Sequence, residues 1–361
     1  MTARYVELFA GAGGLSRGLE AAGFAPMAHC EINDHARAVL RYRWPDVPLH
    51  GDVAAIDGRS FQGATLISGG SPCQDLSVAG KRAGLEGDRS GLFYEQVRIW
   101  TESGATYCLW ENVYGALSSN AGRDFAAVLS AFVGSAVDVP EGGWRRAGVA
   151  AGSAAVAAWR VLDLQQFGPP QRRVRVFVLV ARAGGVDPAE VLDVGPAGCQ
   201  HTAPRENPAG AWWNGGGIVP SLDHSGIVKQ QTMPEKQRLW ALIDRTWRPV
   251  AFSPGEDEPC AVCGEEYGDC ACPGPTQDFA YRETADGTLE AFVPWLRRLT
   301  PRETERLMSW PDDWTRYGIN EAGKPYELAD TARFRLVGNG VGSVCVEWIA
   351  KRLAAAIGGA A

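Results

Sequence analysis

Near its start the chain runs Tyr5-Val6-Glu7-Leu8-Phe9, then Ala10-Gly11-Ala12-Gly13-Gly14, then Leu15 to Ala22 at helical spacing. An apolar strand that enters a glycine turn and leaves it as a helix is the opening unit of a doubly wound α/β sheet. One such unit cannot cover both faces of its strand, so further strand–helix pairs must follow. They do. Met27 to Glu31 reads as a second strand ending in an acid, Leu49 to Asp52 as a third, and Leu66 to Gly70 as a fourth that runs into another glycine turn. Tyr107 to Val113 and Val174 to Val180 repeat the pattern. Asp34 to Tyr42 reads as a helix, capped by Asn33 or Asp34. The expected fold is α/β: a Rossmann-like, mostly parallel doubly wound sheet with ligands at the carboxyl ends of its strands.

After Arg182 the texture changes. From about Ala183 to Pro294 the chain is rich in Pro, Gly and Trp, with helical spacing only at Ala189 to Val194 and Pro234 to Thr246. Helical signal returns at Pro301 to Ser309, where Thr300 and Glu303 form a capping box, and again at Val341 to Ala356. Gly134 to Ala158 reads as an Ala/Gly-rich surface stretch. The expected organisation is a large domain (1–182 and 296–361) interrupted by a smaller irregular domain (183–295).

Four motifs carry chemistry. Glycines at Phe9 to Gly14 let backbone approach a ligand and leave a helix N-terminus facing it. Glu31 and Asp52 end neighbouring strands, where carboxylates take ribose hydroxyls and an adenine amino group. A structural turn with two capping acids is the plainer alternative, and the turn alone does not separate a dinucleotide from S-adenosylmethionine. In Gly69-Gly70-Ser71-Pro72-Cys73-Gln74 a cysteine stands directly after a strand, beside the cofactor site, where it reads as a nucleophile. The Gly-rich, charged run Asp75 to Asp88 reads as a loop that closes over substrate. Glu111-Asn112-Val113 ends the next strand and sets Glu111 beside Cys73. A thiolate with a shielded carboxylic acid suits attack on an electron-poor ring, the acid donating to a ring nitrogen. In Gln171-Arg172-Arg173-Val174-Arg175 the alternation points Arg173 and Arg175 to one face, suited to a carbonyl oxygen and a phosphate.

With these residues assembled, the chain resembles the DNA (cytosine-5)-methyltransferases. Six motifs occur in that family's order: Phe9 to Gly14, Pro72-Cys73-Gln74, Glu111-Asn112-Val113, Gln171-x-Arg173-x-Arg175, Arg298 to Glu303, and Gly338-Asn339-Gly340-Val341. The resemblance covers about Tyr5 to Arg182 and Leu296 to Leu353. It implies a class I methyltransferase fold, with the irregular domain as the target recognition domain. It implies that Cys73 attacks C6 of a cytosine flipped out of double-stranded DNA. Glu111 then contacts N3 and the amino group, Arg175 holds the O2 carbonyl, and Arg173 supports the nucleophile loop and nearby backbone. Phe9, Gly11, Gly13, Gly14, Glu31, Asp52, Asn339 and Val341 line the S-adenosylmethionine site, with Leu92 against the adenine. Two departures stand out. Gly340 replaces a common Ser, which loosens that loop, and Leu307 to Trp314 is a variant of a more usual Gln-Gly-Phe-Pro stretch. The rival readings are an RNA methyltransferase of the same chemistry, a non-catalytic DNA-binding subunit and a dinucleotide oxidoreductase. The intact Cys73, Glu111 and Arg175 argue against the last two.

Cys260, Cys263, Cys270 and Cys272 fall outside that pattern. Four thiolates within 13 residues can surround one tetrahedral, structural Zn2+, with Cys199 and His201 as spare ligands, although reduced thiols in a loop are the alternative. Trp212 and Trp213 read as packing of the irregular domain, and His224 as a structural or surface residue. The formal charge of −7 argues at first against a nucleic-acid partner. Between Glu256 and Glu290, however, there are ten acids and one base, a net of −9, so the remaining residues carry −7 − (−9) = +2. The acidity belongs to the cysteine insert, which is expected to face away from phosphate. The absence of an apolar run of about 18 residues excludes a membrane-spanning helix. With no signal-peptide pattern after Met1, the expected location is the cytoplasm. A monomer suits an enzyme that reads one strand at a time.

Overall fold

A computed structural model of the chain describes residues 2–72, 91–194, 243–249, 281–283, 289–296 and 299–359. Strands β1 (Arg4–Leu8), β2 (Ala25–Cys30), β3 (Leu49–His50), β4 (Leu66–Gly69), β5 (Tyr107–Val113), β6 (Ala147–Ala151), β7 (Ala155–Asp163) and β8 (Val174–Arg182) form one sheet. Its order is β3-β2-β1-β4-β5-β8-β7-β6. The first five are parallel, whereas β8, β7 and β6 add on antiparallel. Helices α1 (Gly14–Ala21), α2 (Asp34–Arg43), α3 (Gly91–Ser103), α4 (Arg123–Val133), α5 (Pro188–Val191), α6 (Pro301–Leu307), α7 (Asp330–Asn339) and α8 (Ser343–Gly359) complete this unit, together with the hairpin β12 (Tyr317–Ile319) and β13 (Pro325–Glu327). Two apolar clusters lie on either side of the sheet strands, because alternate strand residues point to opposite faces: Val6 and Leu8 join one, Tyr5 the other.

The expected caps are present. Asn33 Oδ1 accepts from the Ala36 N–H at 3.1 Å, and Thr300 with Glu303 closes a capping box at the start of α6. The third strand is shorter than expected, ending at His50, because Asp52 caps a helical turn instead. Gly134 to Ala154 lies at the surface as expected, apart from Ala147, but the stretch to Ala158 also enters the sheet. It contributes β6 and the start of β7, with Ala155, Ala157 and Ala158 buried. Alanine has low strand propensity, and here the sheet ladder, not local preference, decides. Strand β9 (Ile243–Pro249) pairs with β11 (Leu289–Leu296), which also pairs with β10 (Tyr281–Glu283), forming a second compact unit. The helix expected over Pro234 to Thr246 is therefore corrected at Ile243 to Thr246. These residues supply one side of an antiparallel ladder in a segment rich in β-branched and aromatic residues. Residues 234–242 lie outside the described residues. None of the described helices is long and apolar enough to cross a membrane.

Candidate active site

At the carboxyl end of β1 the chain turns through Phe9 (φ 54°), Gly11 (φ 54°) and Gly13 (φ 79°) into α1. The left-handed backbone at Gly13 needs glycine doubly, because a Cβ there would meet the Trp44 ring at 2.3 Å. A Cβ at Gly14 would press on Val341 Cγ1 at 2.9 Å and Trp310 at 3.0 Å. The Trp314 indole N–H donates to the Ala12 carbonyl at 2.8 Å. Three tryptophans from distant parts of the chain thus brace one turn. Beneath it, Glu7 is 1% exposed. Its Oε2 accepts from the Ser16 N–H at 2.9 Å and also meets the Ser16 hydroxyl, which lies 2.8 Å from His29 Nε2. Burial pushes the Glu7 carboxyl up to about 8, against the opposing Ser16 hydrogen bonds, and pushes His29 down to about 4.

Glu31, just past β2, holds the turn from the open side. Its Oε2 accepts from the Gly11 N–H and its Oε1 from the Asn33 N–H, each at 2.7 Å. Asp52 accepts from the Ala54 N–H at 2.9 Å. Both acids therefore do the capping work of the plainer reading, and both remain at neighbouring strand ends, close enough to act on Cys30. Sequence reasoning passed over Ile32, which is 73% exposed directly after Glu31. An isolated apolar residue leaves no periodic signal; the clue was its position next to a strand-end acid. Leu92, on α3, packs against the cluster that includes Val6 and Leu8. Asn339 is exposed at the end of α7, and Val341 is buried against Gly14.

The other end of the site lies at β5 and β8. Glu111 Oε1 stands 3.2 Å from Arg175 Nε, both largely shielded from solvent. Burial raises the Glu111 carboxyl, and the charges of Arg175 and Arg173 oppose that rise. The turn after β4 is strapped to β5. Asn112 Nδ2 donates to the Ser71 carbonyl at 3.0 Å and Trp110 Nε1 to Ser71 Oγ at 3.1 Å. A Cβ at Gly70 would sit 2.9 Å from Glu111 Oε2. Cys73 itself lies outside the described residues, as do residues 75–88. The three described cysteines, Cys30, Cys108 and Cys345, are buried. Burial pushes the Cys30 and Cys108 thiols up to about 12, which makes them poor nucleophiles.

Arg173 is bound to nearby backbone. It precedes β8, is 2% exposed, and donates to the Gly338 carbonyl at 3.0 Å and to the Gly340 carbonyl. A guanidinium used in this way ties the last glycine motif to the base of β8 and does not reach a phosphate. The two departures noted at that motif are one packing solution. A Cβ on Gly340 would meet the Trp310 ring at 2.5 Å, and Trp310 Nε1 donates to the Val341 carbonyl at 3.1 Å. Gly340 therefore does not loosen the loop. It admits the larger ring.

The model of the family described as C-5 cytosine-specific DNA methylase matches residues 3–193, just over half of the chain. The chain belongs to that family. The methylase is 28% identical over 364 residues to the type II methyltransferase M2.BsuMI of Bacillus subtilis, across 97% of this chain and 75% of that protein. It is 33% identical over 187 residues to the type II methyltransferase M.Eco47II of Escherichia coli, across 50% of this chain and 41% of the other. A protein of Escherichia phage P1 named DNA N-6-adenine-methyltransferase is 33% identical over 223 residues, half of this chain but 29% of that one. The methylase thus spans three quarters of the first relative and well under half of the other two. In fold it is similar to a DNA modification methyltransferase from an Escherichia coli prophage, with a TM-score of 0.55 at 18% identity, over 99% of this chain and all of the other. Cytosine C5 methylation is the family's chemistry and the activity of this chain.

Cys260, Cys263, Cys270 and Cys272, like Cys199, His201, Trp212, Trp213 and His224, lie outside the described residues. Among the described residues no cluster of His, Cys, Asp and Glu is arranged to hold a metal.

Proposed function

We propose that the methylase acts as a monomer on a specific site in double-stranded DNA, as a cytoplasmic type II modification enzyme. It does so through a covalent bond between Cys73 and C6 of a flipped cytosine. The observation that carries this reading is the shielded Glu111–Arg175 pair, set against the strapped turn that leads into Cys73. Flipping is required because neither face of the ring is open to attack within the stack.

The residues at the glycine turn fit S-adenosylmethionine. A Cβ on Gly11 would point into open space, Glu31 stands beside it to take ribose hydroxyls, and Ile32 presents an apolar face for the adenine. Gly13, Gly14 and Val341 close the back of the turn. Phe9, Leu92, Asp52 and Asn339 complete the proposed binding set. When bound, S-adenosylmethionine supplies the methyl group as an electrophile.

The Cys73 thiolate adds to C6 and forms the S–C6 bond. The electron density this places on the ring is met at O2 by Arg175, and at N3 by Glu111, whose burial favours its protonated form. C5 becomes nucleophilic and takes the methyl group. The C5 proton then leaves to a base, the C5=C6 bond reforms and the Cys73 thiolate departs. Arg173 is a positioning residue. It holds the segment carrying Asn339 and Val341 to the same sheet end that carries Arg175, so the two halves of the site keep their spacing. Cys260, Cys263, Cys270 and Cys272 are read as one structural zinc site in the recognition domain. Metal content of the untreated, folded protein tests this: about one equivalent supports it, and less than about 0.3 equivalents overturns it.

Nucleoside analysis after incubation with deuteromethyl-labelled S-adenosylmethionine and duplex DNA or RNA tests the whole reading. Labelled 5-methylcytosine in DNA, lost in Cys73→Ser, is the expected result. Label in adenine, or in RNA alone, overturns it.

A further inference from the structure

We infer that Tyr114, Arg145 and Arg146 form a second DNA-backbone contact, at the sheet end that carries Glu111 and Arg175, that grips phosphates a few nucleotides from the flipped base. The inference rests on the double-stranded DNA reading above. Tyr114 begins the helical turn after β5, three residues beyond Glu111, and is 47% exposed. It is one of few large apolar side chains exposed among the described residues. The Arg146 guanidinium lies 5.8 Å from the Tyr114 ring centroid, a distance at which the ring face attracts the cation.

Arg145 and Arg146 arrive there through β6. In the sheet, Val113 pairs with Arg175 and Arg175 with Leu162. The Val161 N–H donates to the Arg146 carbonyl at 2.7 Å, one step from that row. Both arginines therefore stand at the sheet end that carries Glu111 and Arg175, about three strand spacings of roughly 4.8 Å across from β5. The preceding segment is anchored: Trp144 Nε1 donates to the Gly122 carbonyl at 2.8 Å, and the Arg145 carbonyl accepts from Trp159 Nε1 at 3.0 Å.

Arg145 and Arg146 are exposed, and neither guanidinium has a carboxylate partner among the described residues. Three other surface arginines are committed. Arg302, Arg306 and Arg316 are each engaged with Asp312, Asp313 or Glu327. Arg172, also exposed, precedes buried Arg173 at the same sheet end. Two uncommitted forks, one steadied by a ring face, suit the charge of backbone phosphates. The separation of about 14 Å from β5 suits phosphates a few nucleotides from the flipped base, not the base itself.

The test measures binding of the full-length protein to a fixed-length duplex across a salt series, comparing wild type with Arg145→Ala/Arg146→Ala, Arg146→Lys and Tyr114→Ala. The slope of log K against log salt is expected to shrink by about two in the double variant, because each lost phosphate contact removes roughly one. Arg146→Lys keeps the slope. Tyr114→Ala weakens binding with a smaller change of slope. Binding of S-adenosylhomocysteine, which needs none of these side chains, is expected to stay at the wild-type value in every variant and so reports folding. Should Arg145→Ala/Arg146→Ala misfold, the charge-reversing single variants Arg145→Glu and Arg146→Glu take its place, each with an expected slope change of more than one. A wild-type slope in the variants of an enzyme that still methylates DNA overturns the inference and leaves the main reading intact. A wild-type protein that neither binds nor methylates DNA overturns both.

Discussion

The two ends of the site are built from different materials. The cofactor end is made of backbone. Its turn is shaped by Gly11 and Gly13, held by N–H donations to Glu31, and braced from behind by Trp44, Trp310 and Trp314. The base end is made of side-chain charge, with Glu111 and Arg175 shielded at the junction of a parallel and an antiparallel strand. Backbone tolerates changes of side chain but not added volume. A shielded ion pair tolerates neighbours but not the loss of its own groups. Mutations at the two ends are therefore expected to fail in different ways.

The largest effect is expected at the base end. Glu111→Gln removes the titrating proton donor, and methyl transfer should fall by a factor of about 10² to 10⁴. Equilibrium binding of S-adenosylhomocysteine should hold within about twofold, as measured by calorimetry. Loss of cofactor binding in that variant would break the comparison. Next comes Gly13→Ala, which forces a Cβ into Trp44 from a left-handed backbone. It should weaken cofactor binding by more than tenfold and lower the thermal midpoint by several degrees.

Gly340→Ser should cost about 1–3 kcal/mol in denaturant unfolding, because the added atoms meet Trp310. Trp310→Phe placed in the same chain should recover part of that loss. Strict additivity of the two would deny that the positions are coupled.

The smallest effect concerns Glu7. Its carboxyl is raised from the usual 4.5 to about 8, so the folded state favours the protonated form. That contribution is complete below about 4.5 and is lost as pH rises through 8. His29, lowered to about 4 by burial, contributes stability above its usual 6.5 and loses it as pH falls through 4. Of these two groups only Glu7 changes between pH 6.5 and 8.5, so the wild-type thermal midpoint should decline more steeply across that window than that of Glu7→Gln. Equal slopes for the two proteins would count against a buried, protonated Glu7.

Much of this site was legible from local pattern. The glycine turn, the strand-end acids, Glu111 and the Arg175 position each follow from residue type at a fixed offset from a strand end, and that offset is set by chain geometry. What escaped notice depends on contacts between distant segments. Nothing local to Gly340 announces Trp310, and nothing near Gly13 announces Trp44. Strands β6 and β7 were hidden by alanines whose burial comes from neighbouring strands. Nothing local to Arg173 announces the Gly338 and Gly340 carbonyls that its fork meets.

The central claim is that Cys73 becomes bonded to cytosine C6 in a pocket organised by Glu111 and Arg175. Incubation of the methylase with S-adenosylmethionine and duplex DNA containing 5-fluorocytosine tests it directly, because fluorine at C5 blocks the final proton loss. Intact mass spectrometry should show a denaturation-resistant protein–DNA adduct that maps to the peptide containing Cys73 and is absent in Cys73→Ser. An adduct at another cysteine, or labelled 5-methylcytosine in ordinary DNA with no adduct on the fluorinated duplex, would contradict the account.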